Sequence, residues 1–318
     1  MTKKILCAFI FAFGLFNTAF AADNMRIFQK ENGEVITGLK IADLKGDIKV
    51  NIAFPQNYNK EISQRFPVVF LLDTEEYSIE TLNQMFYPEK SKNPQAVIAS
   101  FRFENPNLTQ EQLNKVLEEM FPFFEMNYRG EIESSKRIIL AKNSLAILAL
   151  NSLNKASNYF LNLGIILDNT TAFPQLNGSL KKNIKVFCFS VKDNILRLQD
   201  LLVNGGLEPI QNFFFNIQEE TSFGKFDLRY FLGQTPKIEQ INPVLPKTIS
   251  QEAPISLQVK TNYGSLDFFP TQIRFSPPIL AYDETSGSLQ VLLKEASKVK
   301  IKGVFSGKKW SKSIKISK

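Results

Sequence analysis

Histidine is absent from all 318 residues. It is the commonest general base in enzymes, the commonest metal ligand, and the one side chain whose ordinary titration falls near neutral pH. A Ser-His-Asp or Cys-His mechanism and a His-based metal site are therefore excluded before any motif is sought. Cysteine is nearly absent too, with only Cys7 and Cys188. A zinc site without histidine needs several thiolates, and these two are too few. Cys7 falls in the N-terminal leader described below, so the mature chain has no internal disulfide. Cys188, within Val186-Phe187-Cys188-Phe189, is expected to pack as a small buried hydrophobe. No apolar run is long enough to span a bilayer. There is no glycine-rich phosphate loop, because Asn204-Gly205-Gly206 has the pattern of a helix stop. No cofactor is implied.

Apolar residues make up 44% of the chain, ample for a packed core. At the N-terminus, Lys3 and Lys4 precede the apolar run Ile5 to Phe16, and Thr18-Ala19-Phe20-Ala21 supplies a small-x-small cleavage pattern. That is a secretory signal over residues 1–22, with a mature start near Ala22 or Asp23 and a periplasmic or secreted destination. The net charge of +7 is unevenly placed. From Leu292 onward there are nine lysines (294, 298, 300, 302, 308, 309, 312, 315 and 318) against one acid, Glu295. The basic character belongs to the C-terminal segment.

Between Arg26 and Pro236 the pattern alternates strand and helix. Glu34 to Ala42 and Asp47 to Phe54 suit an antiparallel opening pair, and Pro67 to Asp73 and Ala96 to Phe101 suit fully buried parallel strands. Leu113, Val116, Leu117, Met120, Phe121 and Phe124 recur at helical spacing within Thr109 to Tyr128, with Pro122 as a candidate kink. A strand from Lys136 to Ala141 leads into a helix from Ser144 to Leu153. Further strands are expected at Leu161 to Leu167, Ile184 to Val191 and Phe213 to Ile217. Helices are expected at Ile195 to Val203 and Phe226 to Leu232. Such alternation implies parallel crossovers and an α/β domain, residues 23–236, with helices on both faces of a mostly parallel sheet. Four prolines (236, 243, 246 and 254) suggest a linker over 237–254. Five short runs then suggest a small all-β domain, an Ig-like sandwich, over 255–318. They are Ile255 to Lys260, Gln272 to Phe275, Ser288 to Leu293, Lys298 to Val304 and Lys312 to Ile316.

The first domain resembles a family. Lys49 to Tyr58 followed by Phe66-Pro67-Val68-Val69-Phe70-Leu71-Leu72-Asp73 is similar to the opening of the esterase D and enterochelin-esterase-like branch of the α/β-hydrolases. The resemblance continues through Met120 to Tyr128, and through Arg137 to Ala146, where that family places R-x-i-x-G-x-S-x-G-G. It spans roughly Glu34 to Leu232 and implies an α/β-hydrolase fold with a nucleophile elbow. A sharp strand-to-helix turn needs small residues two positions either side of the nucleophile. With Ser144 at that position the flanks are Lys142 and Ala146. With Asn143 there, the flanks are Ala141 and Leu145 and the amide cannot attack. The Ser144 register is favoured, because Ser144-Leu145 and Leu148-Ala149 then match the family's continuation.

The resemblance implies a triad acid at Asp193 and a histidine between Glu219 and Phe226, where none exists. Loss of a triad member lowers turnover by roughly 10⁴- to 10⁶-fold. Asp73-Thr74 stands where the family has Asp-Gly, which alters the expected oxyanion site. These features suggest a catalytically degenerate site, a pseudoenzyme, in which Asp73, Thr74, Lys142 and Ser144 are candidate binding residues. The alternative is an active serine esterase or acyl hydrolase using Ser144, with Lys142 or Lys225 as a desolvated base. The paired acids Glu75-Glu76 and Glu219-Glu220 are read as solvated charges, since adjacent residues do not face each other.

In the C-terminal unit, Lys298-Val299-Lys300-Ile301-Lys302 alternates charge with apolar residues. One strand face would carry Lys298, Lys300 and Lys302 toward an acidic protein or an anionic envelope component such as lipopolysaccharide or phospholipid headgroups. Guarding of exposed strand edges by lysine explains the same pattern. Nucleic acid is not expected, with Trp310 the one tryptophan available for stacking. The expected function is binding or scaffolding outside the cytoplasm. Nothing in the sequence sets the oligomeric state.

Overall fold

The computed structural model describes residues 25–316 apart from 42–43, 61, 90, 106, 154–156, 169–179, 219, 221, 271–272, 277–279 and 293–296. The leader with Cys7, and also Glu219, Gln272, Leu293, Lys294, Glu295 and Lys318, lie outside the described residues.

Nine strands form one sheet. They are β1 (Arg26–Lys30), β2 (Gly33–Leu39), β3 (Ile48–Ala53), β4 (Val68–Leu72), β5 (Val97–Phe103), β6 (Arg137–Lys142), β7 (Asn162–Ile166), β8 (Lys185–Ser190) and β9 (Phe213–Ile217). Their spatial order is β1-β2-β3-β5-β4-β6-β7-β8-β9. β1, β2 and β3 pair antiparallel, β3 is antiparallel to β5, and every pair from β5 through β9 is parallel. Every residue of β4 and β7 is buried, as expected for strands covered on both faces.

The helices of this unit are α1 (Ile79–Phe86), α2 (Gln110–Asn127), α3 (Asn143–Ser152), α4 (Lys192–Asn204) and the single turn α5 (Arg229–Leu232). Thr109 starts α2 with a capping box: its hydroxyl accepts from the Gln112 amide, and the Gln112 side chain accepts from the Thr109 amide. Pro122 lies inside α2 without ending it. Burial of Met120, Phe121, Phe123 and Phe124 holds that turn in place. Phe70 of β4 stacks on Phe121 at 4.3 Å and meets Phe101 edge-on at 4.8 Å, so the centre of the sheet and α2 share one aromatic core.

The expected linker is structured. Residues 237–254 contain β10 (Ile238–Val244), β11 (Thr248–Ile249) and β12 (Glu252–Pro254). They are followed by β13 (Ser256–Thr261), β14 (Ser265–Phe268), β15 (Ile273–Ser276), β16 (Leu280–Asp283), β17 (Ser288–Val291), β18 (Ser297–Phe305) and β19 (Lys308–Ile316). These ten strands make three small sheets, β10-β13-β14, β11-β19-β18-β15 and β12-β17-β16. Pro243 and Pro254 sit on β10 and β12, both edge strands, where a missing N–H does not break a ladder.

The C-terminal strands pack against the α/β unit. Phe268 of β14 meets Phe215 at 5.8 Å and Phe213 at 6.2 Å, beside the outer strand β9. The Gln199 side chain donates to the Phe269 carbonyl and accepts from the Phe269 amide, each at 2.9 Å. The Ile217 amide donates to Asp267 Oδ2 at 3.0 Å, and burial raises the Asp267 carboxyl above its usual range.

Candidate functional site

Because β4 and β6 run parallel and pair Leu72 with Ala141, the next residues on each strand, Asp73 and Lys142, come side by side at the carboxyl end of the sheet. Lys142 Nζ lies 2.7 Å from Asp73 Oδ2, with the two side chains 12% and 7% exposed. The Tyr77 hydroxyl joins them, accepting from Lys142 Nζ at 2.6 Å and donating to Asp73 Oδ2 at 2.6 Å. Burial and the neighbouring Asp73 carboxylate push the Tyr77 hydroxyl far above the usual phenol range, so it remains a donor. The ammonium also stands 4.9 Å from the Phe223 ring and 5.3 Å from the Tyr77 ring. Glu75 is 4.0 Å away and largely exposed, whereas Glu76 binds Lys49, Arg102 and Asn51. Neither acid of that pair is positioned opposite the other for proton transfer.

The strand-to-helix turn falls on Asn143, one residue before the expected Ser144. Asn143 has φ +49° and is the first residue of α3, directly after the end of β6 at Lys142, and Ser144 follows, exposed, in the first helical turn. Asparagine tolerates left-handed backbone better than other residues bearing a Cβ, so this position suits its occupant. The flanking residues are Ala141 and the buried Leu145. The Asn143 side-chain Oδ1 accepts from the Asp168 amide at 3.3 Å, just past β7. The Thr74 amide, in the loop that follows β4, donates to the Asp73 carboxylate at 2.7 Å.

Asp193 is exposed in the first turn of α4, and no hydrogen bond or ion pair among the described residues joins it to Asn143 or Ser144. Its neighbour Asn194 is the buried polar group there. Asn194 donates to the Asp168 carbonyl at 2.7 Å and to Ser190 Oγ at 2.9 Å, and Ser190 donates to the Leu167 carbonyl. These neutral groups clasp the ends of β7 and β8. In the segment where the resemblance implies a histidine, Phe223 is fully buried and packs edge-on against Tyr77 at 5.8 Å. Lys225 is exposed. Lys142 is held against Asp73, and neither lysine makes a hydrogen bond to Ser144 among the described residues.

Sequence reasoning did not find Tyr77 or Phe223. Phe223 lies in the searched segment, but an apolar residue there gave no chemical signal. Tyr77 is brought in by the loop between β4 and α1. Among the described residues no cluster of His, Cys, Asp and Glu could hold a metal, and no helix is long and apolar enough to cross a membrane. Cys188 is fully buried, and burial raises its thiol well above the usual range.

Lys298, Lys300 and Lys302 are exposed on β18, alternating with Val299 and Ile301, which are completely buried. They are far along the chain from the strand-end site and share no contact with it among the described residues.

No family model and no curated protein matches this sequence. Solved structures to which the chain is similar include a ferulic acid esterase from Anaeromyces mucronatus, at 12% identity and a TM-score of 0.45 over 69% of this chain and 97% of that one. An enterochelin esterase from Shigella flexneri aligns at 14% identity and a TM-score of 0.44, over 69% of this chain and 60% of that one. An IroE-like serine hydrolase from Shewanella oneidensis aligns at 14% identity and 0.42, over 66% and 77%. The sheet itself is nine-stranded and mostly parallel, with a strand-to-helix turn at Asn143.

Proposed function

We propose that this chain is an exported, non-catalytic pseudo-esterase that acts as a binding or scaffolding protein, with the basic face of its C-terminal unit as the contact surface. One observation carries the reading. The residue at the hydrolase-like turn is Asn143, which has no nucleophilic atom, and the adjoining strand ends are filled by the Lys142–Asp73–Tyr77 cluster. A serine hydroxyl attacks only with a proton acceptor in reach and donors poised for the oxyanion. Here Lys142 is neutralised by Asp73, the Thr74 amide is engaged, and Phe223 fills the place of an imidazole. The C-terminal strands, taken as an immunoglobulin-like sandwich, are the rigid carrier of the contact surface.

The test is labelling of the purified full chain with a fluorophosphonate probe, beside the Ser144→Ala and Asn143→Ser variants. The expected result is no labelling of the wild type or of Ser144→Ala. Asn143→Ser is also expected to stay unlabelled, since it gains a hydroxyl but no base. Labelling of the wild type that Ser144→Ala abolishes would overturn the proposal in favour of an active esterase with an unusual base.

A further inference from the structure

The lysines of β18 are not edge guards. β18 lies inside the sheet β11-β19-β18-β15, and both Lys300 and Lys302 are paired on each side, to β15 and to β19. Lysine is spent on strand edges to repel other chains, and that explanation fails for an interior strand.

Register shows what shares their face. Lys302 lies opposite Ser311 and Arg274, Lys300 opposite Ser313, and Lys298 opposite Lys315, while Val304 lies opposite Lys309. One side of three adjacent strands therefore carries Arg274, Lys298, Lys300, Lys302, Lys309 and Lys315, with no acid on it among the described residues. None of these six side chains meets a carboxylate among the described residues. Arg274 with Lys302, and Lys298 with Lys315, are like charges directly across from each other, an arrangement that destabilises a sheet. A polyanion on this face would relieve both repulsions. A groove of about 520 Å³ runs over Arg274, Lys300, Lys302 and Lys309.

Resting on the reading of this face as a contact surface, we infer that its partner is the anionic headgroup layer of a phospholipid bilayer. The shape of the array favours a planar partner. Residues two apart on a strand stand roughly 7 Å apart and neighbouring strands about 4.8 Å apart, so the cations tile a patch of roughly 20 by 10 Å. A linear polyanion follows one row, whereas a headgroup layer meets all three strands together. Trp310 also lines the groove, but at 6% exposure and packed over Gly303 its ring is too covered for stacking on bases or sugars. Val304, 40% exposed, is the apolar side chain in the patch, which suits adsorption at the interface and not insertion.

The experiment is flotation of the full chain with vesicles of phosphatidylcholine alone and of equimolar phosphatidylcholine and phosphatidylglycerol. Binding only to the anionic vesicles, weakened by salt, is expected. The triple variant K298Q/K300Q/K302Q should lower partitioning about a hundredfold, from about fivefold per cation near an anionic surface. Its urea midpoint checks folding, and R274Q/K309Q probes the same face from the flanking strands should the triple variant unfold. Equal binding to both vesicles, or undiminished binding by a folded variant, would overturn the inference. Lysine-dependent binding to heparin or an acidic protein without vesicle binding would also overturn it, yet leave the contact surface in place. Failure of the pseudo-esterase reading would show separately, as fluorophosphonate labelling.

Discussion

Replacing Lys142 by Met and Asp73 by Leu, singly and together, tests whether the strand-end cluster is a closed structural device. The two side chains are 12% and 7% exposed and their charged atoms are 2.7 Å apart. Removing one partner of a buried pair typically costs 3–5 kcal/mol, because the other charge stays buried without compensation. In Lys142→Met, Asp73 keeps the Tyr77 hydroxyl and the Thr74 amide as donors, so a loss near the lower end, about 3 kcal/mol, is expected. In Asp73→Leu, the ammonium keeps the Tyr77 oxygen and two ring faces, and a similar loss of about 3 kcal/mol is expected. The K142M/D73L double variant replaces both charges by apolar groups and should lose about 2 kcal/mol or less, because such swaps are often neutral. Urea unfolding supplies the measurement, with midpoints moving and slopes unchanged. Single losses under about 1 kcal/mol, or losses that simply add, would refute the argument that these charges are desolvated and mutually dependent. Ester hydrolysis lost specifically in Lys142→Met would instead identify Lys142 as a base.

Three further perturbations follow from local geometry. A Cβ on Gly303 would lie 2.3 Å from Trp310 Cζ2, so Gly303→Ala must displace the indole, at a cost of about 2 kcal/mol typical of overpacking. Trp310 is the sole tryptophan, so its emission should shift to the red; an unchanged spectrum and midpoint would refute the contact. Lys49 and Arg102 hold the Glu76 carboxyl at about 2, well below the glutamate range, so its stabilisation exists above the ordinary glutamate pKa and is lost as pH falls through about 2. Glu76→Gln should therefore cost about 1 kcal/mol at neutral pH after surface screening, and nothing near pH 2, when thermal midpoints are compared. Burial raises the Asp267 carboxyl, so its contribution is complete in acid and is lost as pH rises through the raised value. Asp267→Asn keeps an acceptor for the Ile217 amide and should raise the urea midpoint at neutral pH, an advantage that disappears in acid.

The sheet was legible where burial on both faces leaves a mark. Val68–Leu72 is a continuous apolar run and Asn162–Ile166 is apolar but for Asn162, and the predicted strands there lie within a residue or two of the observed ones. The helix at 110–127 declared itself by spacing and by the Thr109 cap. The strands over 238–254 did not, because prolines 243 and 254 are compatible with edge strands as well as with linkers, and only neighbours decide between them. At the site, the missing histidine was plain in composition. The left-handed turn at Asn143 is visible only in its backbone angle, although the αL tolerance of asparagine was an available signal. Tyr77 and Phe223 reach Lys142 from segments 65 and 81 residues away in sequence, a proximity that no local pattern encodes.

The docking of β14 beside β9 also has a kinetic meaning. β9 is the last strand of the nine-stranded sheet, and its Phe213 and Phe215 are covered by Phe268, which is synthesised some fifty residues later. Until those later strands arrive, the nascent α/β unit presents an open, aromatic-rich edge of the kind that recruits other chains into intermolecular pairing. Shortened versions ending before residue 256 are therefore expected to aggregate during refolding instead of yielding an isolated soluble unit. The C-terminal strands thus serve as a built-in stopper against misassembly as well as a carrier of charge.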